Sequence, residues 1–83
     1  MPLIDRVRRI AADIFGIPIE TVLPSSSADS IATWDSIQHL NLVLALEEEF
    51  GIQFTPEEIE ELLSVELIES LLREKMNMAG VER

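Results

Sequence analysis

The sequence predicts an all-α protein, a small four-helix bundle with three longer helices, one short third helix and a long loop between the first two. Apolar residues recur three and four positions apart, as on one face of a helix. Capping residues, prolines and glycines mark where helices begin and end. The 83 residues can close one modest core. We therefore expect a single domain over residues 1–83, ordered over about 3–75, with a frayed tail over 76–83.

The first predicted helix runs from about Leu3 to Phe15. Gly16 can adopt the left-handed conformation after the last turn, and Pro18 cannot continue a helix. Its charged residues lie away from the apolar face. That face is formed by Leu3, Val7, Ile10 and Ile14, with Ile4 and Ala11 beside them.

A long loop is predicted over residues 17–35. Its Pro24-Ser25-Ser26-Ser27 stretch is typical of turns and loops. Loops longer than about 12–15 residues are uncommon in small domains and are usually functional or disordered. Since this loop leads directly into the second helix, we expect its end to matter for function.

The second predicted helix spans Ser36 to Phe50 and is rich in strong helix formers. Either Asp35 or Ser36 can cap its free N–H groups, and Gly51 can end it. The apolar residues of this helix cover more than one stripe of its surface. Part of the helix is therefore expected to contact something other than the core.

Two further helices are predicted in the second half of the chain. Residues Thr55 to Glu58 form a capping box with proline at the first helical position, and the short helix that follows runs to about Leu63. Ser64 can cap the last helix. We predict that this helix ends near Lys75, because basic residues suit the negative end of a helix dipole.

Composition excludes several kinds of chemistry. Without cysteine there is no disulfide, no thiolate nucleophile and no cysteine-based zinc site. Any thiol must therefore come from a cofactor, and we expect no metal site.

The net charge of -10 repels nucleic acid and anionic lipid. No apolar run approaches the roughly 20 residues of a membrane span, and no secretory signal is visible. We expect a cytoplasmic monomer without membrane insertion, whose partners have basic surfaces.

One segment carries a resemblance to a known family. Asp35-Ser36-Ile37 opens the second helix, which closes with Leu-Ala-Leu-Glu-Glu-Glu-Phe at Leu44 to Phe50. This arrangement resembles the acyl carrier protein family, whose attachment motif is Asp-Ser-Leu, and the likeness is colinear from about Leu3 to Leu72. It implies a helical bundle of acyl-carrier type without catalytic activity of its own.

The resemblance implies that a phosphopantetheinyl transferase joins 4'-phosphopantetheine from coenzyme A to the oxygen of Ser36. The terminal thiol would hold acyl groups as thioesters and present them to partner enzymes of fatty-acid, polyketide or related biosynthesis. Elementary chemistry agrees, because free N–H groups and the positive dipole end favour an anion at a helix N-terminus. A tethered thiol also raises the effective concentration of cargo at each partner.

A second copy of the tripeptide, Asp29-Ser30-Ile31, lies six residues upstream. The residues that follow it, Ala-Thr-Trp-Asp, do not open a long helix. We therefore predict that Ser30 is a loop serine and that Ser36 is the attachment site.

The resemblance also implies roles for the neighbours of Ser36. Asp35 and Ile37 would be recognised by the transferase. As alternatives, Ile37 and Leu44 could pack in the core and Asp35 could act only as a cap. The acidic run Glu47-Glu48-Glu49 could be merely a solvated face of the helix. The expected partners are acyl transferases, synthases or ligases with basic surfaces. Partner recognition is assigned to Gln38, Asn41, Leu44, Glu47 and Glu48. An acyl-chain cavity would be lined by Val7, Leu42, Val43, Leu46, Phe50, Ile59, Ile68 and Leu71.

Departures from the fatty-acid pattern keep alternatives open. Trp34 precedes the motif, and Gln38, His39 and Asn41 replace early acidic residues. These features are more similar to carriers of specialised pathways, so an aminoacyl, D-alanyl or peptidyl carrier is an alternative, as is an unmodified acidic interaction bundle. A hydrolase using Ser36 and His39 is disfavoured, because it needs an orienting group and an oxyanion hole. We interpret His39 as a surface residue and Trp34 as a loop anchor.

Overall fold

Within the described chain, four α-helices confirm the predicted all-α bundle. The computed structural model describes the backbone of residues 2–81 and the side chains of residues 2–76. The helices are α1 (Leu3–Phe15), α2 (Ser36–Phe50), α3 (Pro56–Glu61) and α4 (Val65–Val81). Among the described residues, no helix is both long and apolar enough to cross a bilayer.

Helix α1 lies at the centre of the packing and contacts both α2 and α4. Its predicted bounds are confirmed. Gly16 ends it with a φ of 68°, and the N–H groups of Gly16 and Ile17 both donate to the carbonyl of Ala12. A side chain at this left-handed position would be strained, which is why glycine stops the helix here.

The core lies between α1, α2 and α4, with side chains from the loops closing its ends. The apolar face predicted for α1 points into it, and so do Val65, Ile68 and Leu72 of α4, which are spaced three and four residues apart. The buried apolar residues are Val7, Ala11, Ala12, Phe15, Val22, Ile31, Trp34, Leu42, Val43, Leu46, Phe54, Leu62, Val65, Ile68 and Leu72.

The predicted long loop is present and is bonded to the helices on both sides. Arg8 of α1 donates to the carbonyl oxygens of Ile19 and Val22. At the other side, the Val65 N–H donates to the Ser26 carbonyl at 3.0 Å. A 3-10 turn at Ile19–Thr21, which the sequence analysis did not predict, shortens the irregular stretch.

Trp34 anchors the end of this loop, as predicted. Its ring is 6% exposed and stacks on Phe15, with ring centroids 4.8 Å apart. The neighbouring Thr33 hydroxyl donates to the Phe15 carbonyl at 2.9 Å. The residues immediately before α2 are therefore fastened to the end of α1.

Two predicted helix ends were wrong. Helix α3 ends at Glu61, two residues before Leu63, and α4 continues past Lys75 to Val81. The second error has a simple cause, since Arg and Lys are themselves good helix formers and no proline or glycine lies between Lys75 and Gly80. Of the tail predicted over 76–83, residues 76–81 belong to α4, whereas 82 and 83 lie outside the described residues.

The start of α3 is held by the predicted capping box. The Thr55 hydroxyl accepts from the Glu58 N–H, and the Glu58 carboxylate accepts from the Thr55 N–H. Lys75 of α4 also donates to Glu58 at 2.8 Å. The Lys75 bond, followed by that from Thr55, lowers the pKa of Glu58 below its ordinary value.

Candidate functional site

Ser36 is the first residue of α2, and Asp35 is the cap. The Asp35 carboxylate accepts from the Gln38 N–H at 2.8 Å, and its backbone carbonyl accepts from His39. The choice that the sequence left open between Asp35 and Ser36 is therefore decided in favour of Asp35. Ser36 is left exposed, with its hydroxyl available for chemistry.

The polar groups around Ser36 suit an anion. Its hydroxyl makes no hydrogen bond within the described residues, and the first N–H groups of any helix lack partners inside that helix. Here the N–H groups of Ser36 and Ile37 are of this kind. Because α2 is 15 residues long, its N-terminus carries the full positive end of a helix dipole. A phosphate attached to Ser36 would be stabilised at this position.

An open groove with a volume of about 630 Å³ begins at Ser36 and runs between α2 and α3. Its surface is mainly apolar, with carboxylates at two places. The groove gives a group attached to Ser36 a surface on which to lie. It is lined by Ala28, Trp34, Asp35, Ser36, His39, Leu40, Ile59, Glu60, Leu62 and Leu63.

The apolar residues on the outer face of α2 are exposed. Ile37 is 72% exposed and Leu44 is 62% exposed, so neither packs in the core. Leu40 is also exposed and lies on the same face, since residues three and four apart are neighbours on a helix. The site prediction had omitted Leu40, although its helical spacing from Ile37 could have identified it.

The predicted polar recognition residues differ in their hydrogen bonds. Gln38 and Asn41 bond to each other, with the Asn41 amide donating to the Gln38 oxygen at 2.9 Å. Glu47 accepts from the Phe54 N–H at 2.9 Å and so holds the turn after α2. Glu48 is exposed and has no ion pair in the part of the chain described.

Most described basic side chains are already paired. Arg6 bonds to Glu49 at 2.9 Å and lies over the Phe50 ring. Lys75 pairs with Glu58. The remaining ion pairs join Arg8 to Asp5 and Arg73 to Glu69. The acidic charge on the outer faces of α2 and α3 is therefore left largely uncompensated, and it favours a basic partner.

His39 is not the surface residue that the sequence suggested. It is half-buried, its Nδ1 lies 3.0 Å from the Trp34 indole nitrogen, and its Nε2 lies 2.9 Å from the Ile59 carbonyl oxygen. Both ring nitrogens are bonded away from Ser36. This arrangement contradicts a Ser/His nucleophile pair.

Ser30 lies in a turn, as predicted. Its hydroxyl accepts from the Ser27 N–H at 2.9 Å and also lies within bonding distance of the Ser27 carbonyl. Ile31, the next residue, is buried. The hydroxyl of Ser30 is thus committed to the loop, whereas that of Ser36 is not.

The eight residues predicted to line an acyl cavity lie in or against the core. Only Ile59 among them also lines the groove beside Ser36. That the other seven residues line a cavity for an acyl chain stays a prediction. Val7, Leu42, Val43, Leu46 and Ile68 are buried, and Phe50, Ile59 and Leu71 pack against them. Within the described residues, no cluster of His, Cys, Asp or Glu side chains is placed to hold a metal ion.

Comparison with known proteins identifies the family to which the chain is similar. Residues 5–72 match the family described as "Phosphopantetheine attachment site". The chain is 32% identical over 74 residues to an acyl carrier protein of Thermosynechococcus vestitus, covering 89% of this chain and 91% of that protein. It is 32% identical over 76 residues to an acyl carrier protein of Petrotoga mobilis, covering 92% and 89%.

Proposed function

The chain belongs to the acyl carrier protein family, and from this premise we propose that Ser36 is the residue that bears its 4'-phosphopantetheine. Members of the family are non-catalytic carriers with this group covalently attached. The observation that supports Ser36 is its exposed hydroxyl at the N-terminus of α2, which makes no hydrogen bond to any described residue. Ser30, in the same tripeptide, has a hydroxyl bonded within its own turn.

The residues around Ser36 fit a phosphodiester. Asp35 keeps the first turn of α2 intact by accepting from Gln38, so the N–H groups of Ser36 and Ile37 remain directed outwards. These donors and the helix dipole stabilise the negative charge. When attached, the group supplies a terminal thiol that carries acyl cargo as a thioester, and the chain has no cysteine of its own.

The outer face of α2 is the proposed surface for the transferase and for partner enzymes. Ile37, Leu40 and Leu44 supply apolar contact, and large exposed apolar patches on small proteins commonly mark interaction sites. Gln38, Asn41 and Glu48 would add polar contacts around them, and Asp35 would be recognised by the transferase. Glu47 should contribute less, because its carboxylate already accepts from Phe54.

We further propose that the carrier serves a specialised acyl pathway, with basic-surfaced transferases, synthases or ligases as partners. The departures from the fatty-acid pattern at Trp34, Gln38, His39 and Asn41 support this proposal, and two of them are bonded to each other. Trp34 is buried and donates to His39, so these residues are part of the fold. Intact-mass analysis of the protein from its native cell would identify the cargo, and a fatty-acyl series alone would argue against a specialised role.

The attachment site can be tested directly. The purified apo-protein is incubated with coenzyme A, Mg²⁺ and a promiscuous phosphopantetheinyl transferase, and its intact mass is measured. The mass should increase by one phosphopantetheine, which should map to the peptide containing residue 36. Ser36→Ala should show no increase, whereas the matched control Ser30→Ala should be modified like wild type. Unmodified wild type, or modification that survives Ser36→Ala, would contradict the proposal and favour an unmodified acidic bundle.

A further inference from the structure

The hydrogen bonds of His39 define its protonation state. An indole N–H can only donate, so the Nδ1 atom that faces Trp34 at 3.0 Å must accept. The remaining nitrogen, Nε2, then carries the proton and donates it to the Ile59 carbonyl at 2.9 Å. His39 is therefore neutral in this arrangement, and its tautomer is fixed by its two partners.

From this geometry we propose that neutral His39 is a positioning residue that holds the end of α3 against α2, and that its protonation releases α3. Ile59 lies in the last turn of α3 and lines the groove beside Ser36. The bond from His39 therefore sets one wall of that groove. The bond adds to the packing of Ile59 against the core, and in this proposal it persists only while Nδ1 is unprotonated.

Helix α3 needs this bond because it has few other supports. It is six residues long and contains no fully buried residue, and helices this short are not stable by themselves in water. Its N-terminal half is held by the capping box and by Lys75 bonding to Glu58. At its C-terminal half, the bond from His39 to Ile59 joins it to α2, with Leu62 buried just beyond.

Protonation would place two donors against each other. In imidazolium both nitrogens are donors, so an Nδ1–H would face the indole N–H of Trp34. The indole cannot turn away easily, because it is buried and stacked on Phe15. His39 must move instead, and its bond to Ile59 is lost with it.

Other titratable groups lie close to His39. The titratable groups that line the same groove are Asp35 at the start of α2 and Glu60 of α3. Trp34, which is stacked on the His39 ring, and Phe15, which is stacked on Trp34, do not titrate. Glu58 stays ionised at mildly acidic pH, because its bonds to Lys75 and Thr55 lower its pKa.

Release of α3 on protonation of His39 does not depend on the proposed function. Only the consequence for a group attached to Ser36 rests on that function. If Ser36 bears the prosthetic group, release of α3 changes the surface on which that group lies. Histidine is the side chain that ordinarily changes charge between about pH 5 and 8. The groove would then differ between neutral and mildly acidic surroundings.

Hydrogen exchange of the full-length apo-protein tests the proposal without any prosthetic group. Protection factors, corrected for the intrinsic pH dependence of exchange, are measured from about pH 8 to about pH 5. Protection of the α3 amides and of Leu62 should fall by about tenfold, the order of one lost hydrogen bond. Amides in the middle of α1 should keep their protection over the same range. Unchanged α3 protection, or an equal loss in both helices, would overturn the proposal.

Two neutral variants separate positioning from a merely structural role. Gln at position 39 can place an amide N–H near the Nε2 position and donate to Ile59, so His39→Gln should keep α3 protected at both pH values. His39→Asn can accept from Trp34 but cannot reach Ile59, so α3 should be poorly protected at both. Glu60→Gln is the control for a carboxylate effect and should retain the pH-dependent fall. A fall that persists in both His39 variants, or that disappears in Glu60→Gln, would contradict the assignment.

A measurement on the wild-type protein needs no variant to fold. The ¹⁵N chemical shifts of the imidazole distinguish a protonated from an unprotonated ring nitrogen. At about pH 8 they should show a proton on Nε2 and none on Nδ1. The opposite tautomer would overturn the proposal, whatever the outcome of the modification assay at Ser36.

Discussion

The two Asp-Ser-Ile tripeptides of this chain lie six residues apart and have opposite structures. In the first, the Ser30 hydroxyl bonds to Ser27 and Ile31 is only 5% exposed. In the second, Ser36 is unbonded within the described residues and Ile37 is 72% exposed. Three identical residues thus form a closed turn in one place and an open helix start in the other.

The difference shows that the residues after a short motif determine its chemistry. Ala32 and Thr33 follow the first copy and lead only to Trp34, whose burial ends the loop. The second copy is followed by strong helix formers that continue to Phe50. A helix directs its first N–H groups out of its end, so only the second serine is placed beside free donors. Three pairs of matched substitutions test this contrast, in order of decreasing effect.

The isoleucines should differ most. Ile31→Ala removes a buried side chain and should lower the free energy of unfolding by about 2–4 kcal/mol. Ile37→Ala removes an exposed one and should change it by less than about 0.5 kcal/mol. Urea unfolding followed by circular dichroism measures both. Similar losses for the two variants would mean that the tripeptides are not in these contrasting environments.

The aspartates should differ by a smaller amount. Asp35 accepts from the Gln38 N–H as the cap of α2, so Asp35→Ala should cost about 1 kcal/mol. The Asp29 side chain makes no bond within the described residues, and Asp29→Ala should stay within about 0.5 kcal/mol of wild type. The same unfolding experiment applies. Asp35→Ala should also slow modification of Ser36, because the first turn of α2 would fray and the transferase would lose a contact. An unchanged rate would contradict the proposed recognition of Asp35.

The serines should differ least in stability, although they differ most in chemistry. Ser30→Ala removes bonds to Ser27 in an exposed turn and should cost about 0.5–1 kcal/mol. Ser36→Ala removes no bond seen in the described structure and should cost less than about 0.5 kcal/mol. Thermal unfolding of the two apo-variants compares them. A larger loss for Ser36→Ala would reveal a structural role for its hydroxyl.

The bounds of α1 and α2 could be predicted because local signals coincide at their ends. Gly16 and Gly51 both adopt left-handed conformations, and Asp35 is a strong cap. The end of α4 could not be predicted in this way. The basic residue Lys75 suggests the end of the helix, but its ammonium bonds to Glu58 across the bundle. The local sequence around a basic residue is the same whether it ends a helix or lies inside one and bonds to another helix.

Within the candidate site, the sequence singled out Ser36 and indicated that part of α2 contacts something other than the core. It left open whether Ile37 and Leu44 are exposed, and it did not predict the bonds of His39. Leu40 was also within reach of sequence reasoning, through its spacing from Ile37. The bonds of His39 to Trp34 and Ile59 span 5 and 20 positions. No periodicity relates residues so placed, so only the packed bundle brings them together.

The sequence by itself predicted four helices, the capping box of α3, the acidic charge and the preference for Ser36 over Ser30, because these follow from composition or from residues close together in the chain. The tertiary structure decided which polar groups are already bonded. In the folded chain the Glu47 carboxylate accepts from the Phe54 N–H and Arg6 pairs with Glu49. The Ser36 hydroxyl makes no hydrogen bond to any described residue. Hydrogen bonding of this kind depends on the approach of distant segments, and that approach follows from burial of the shared core.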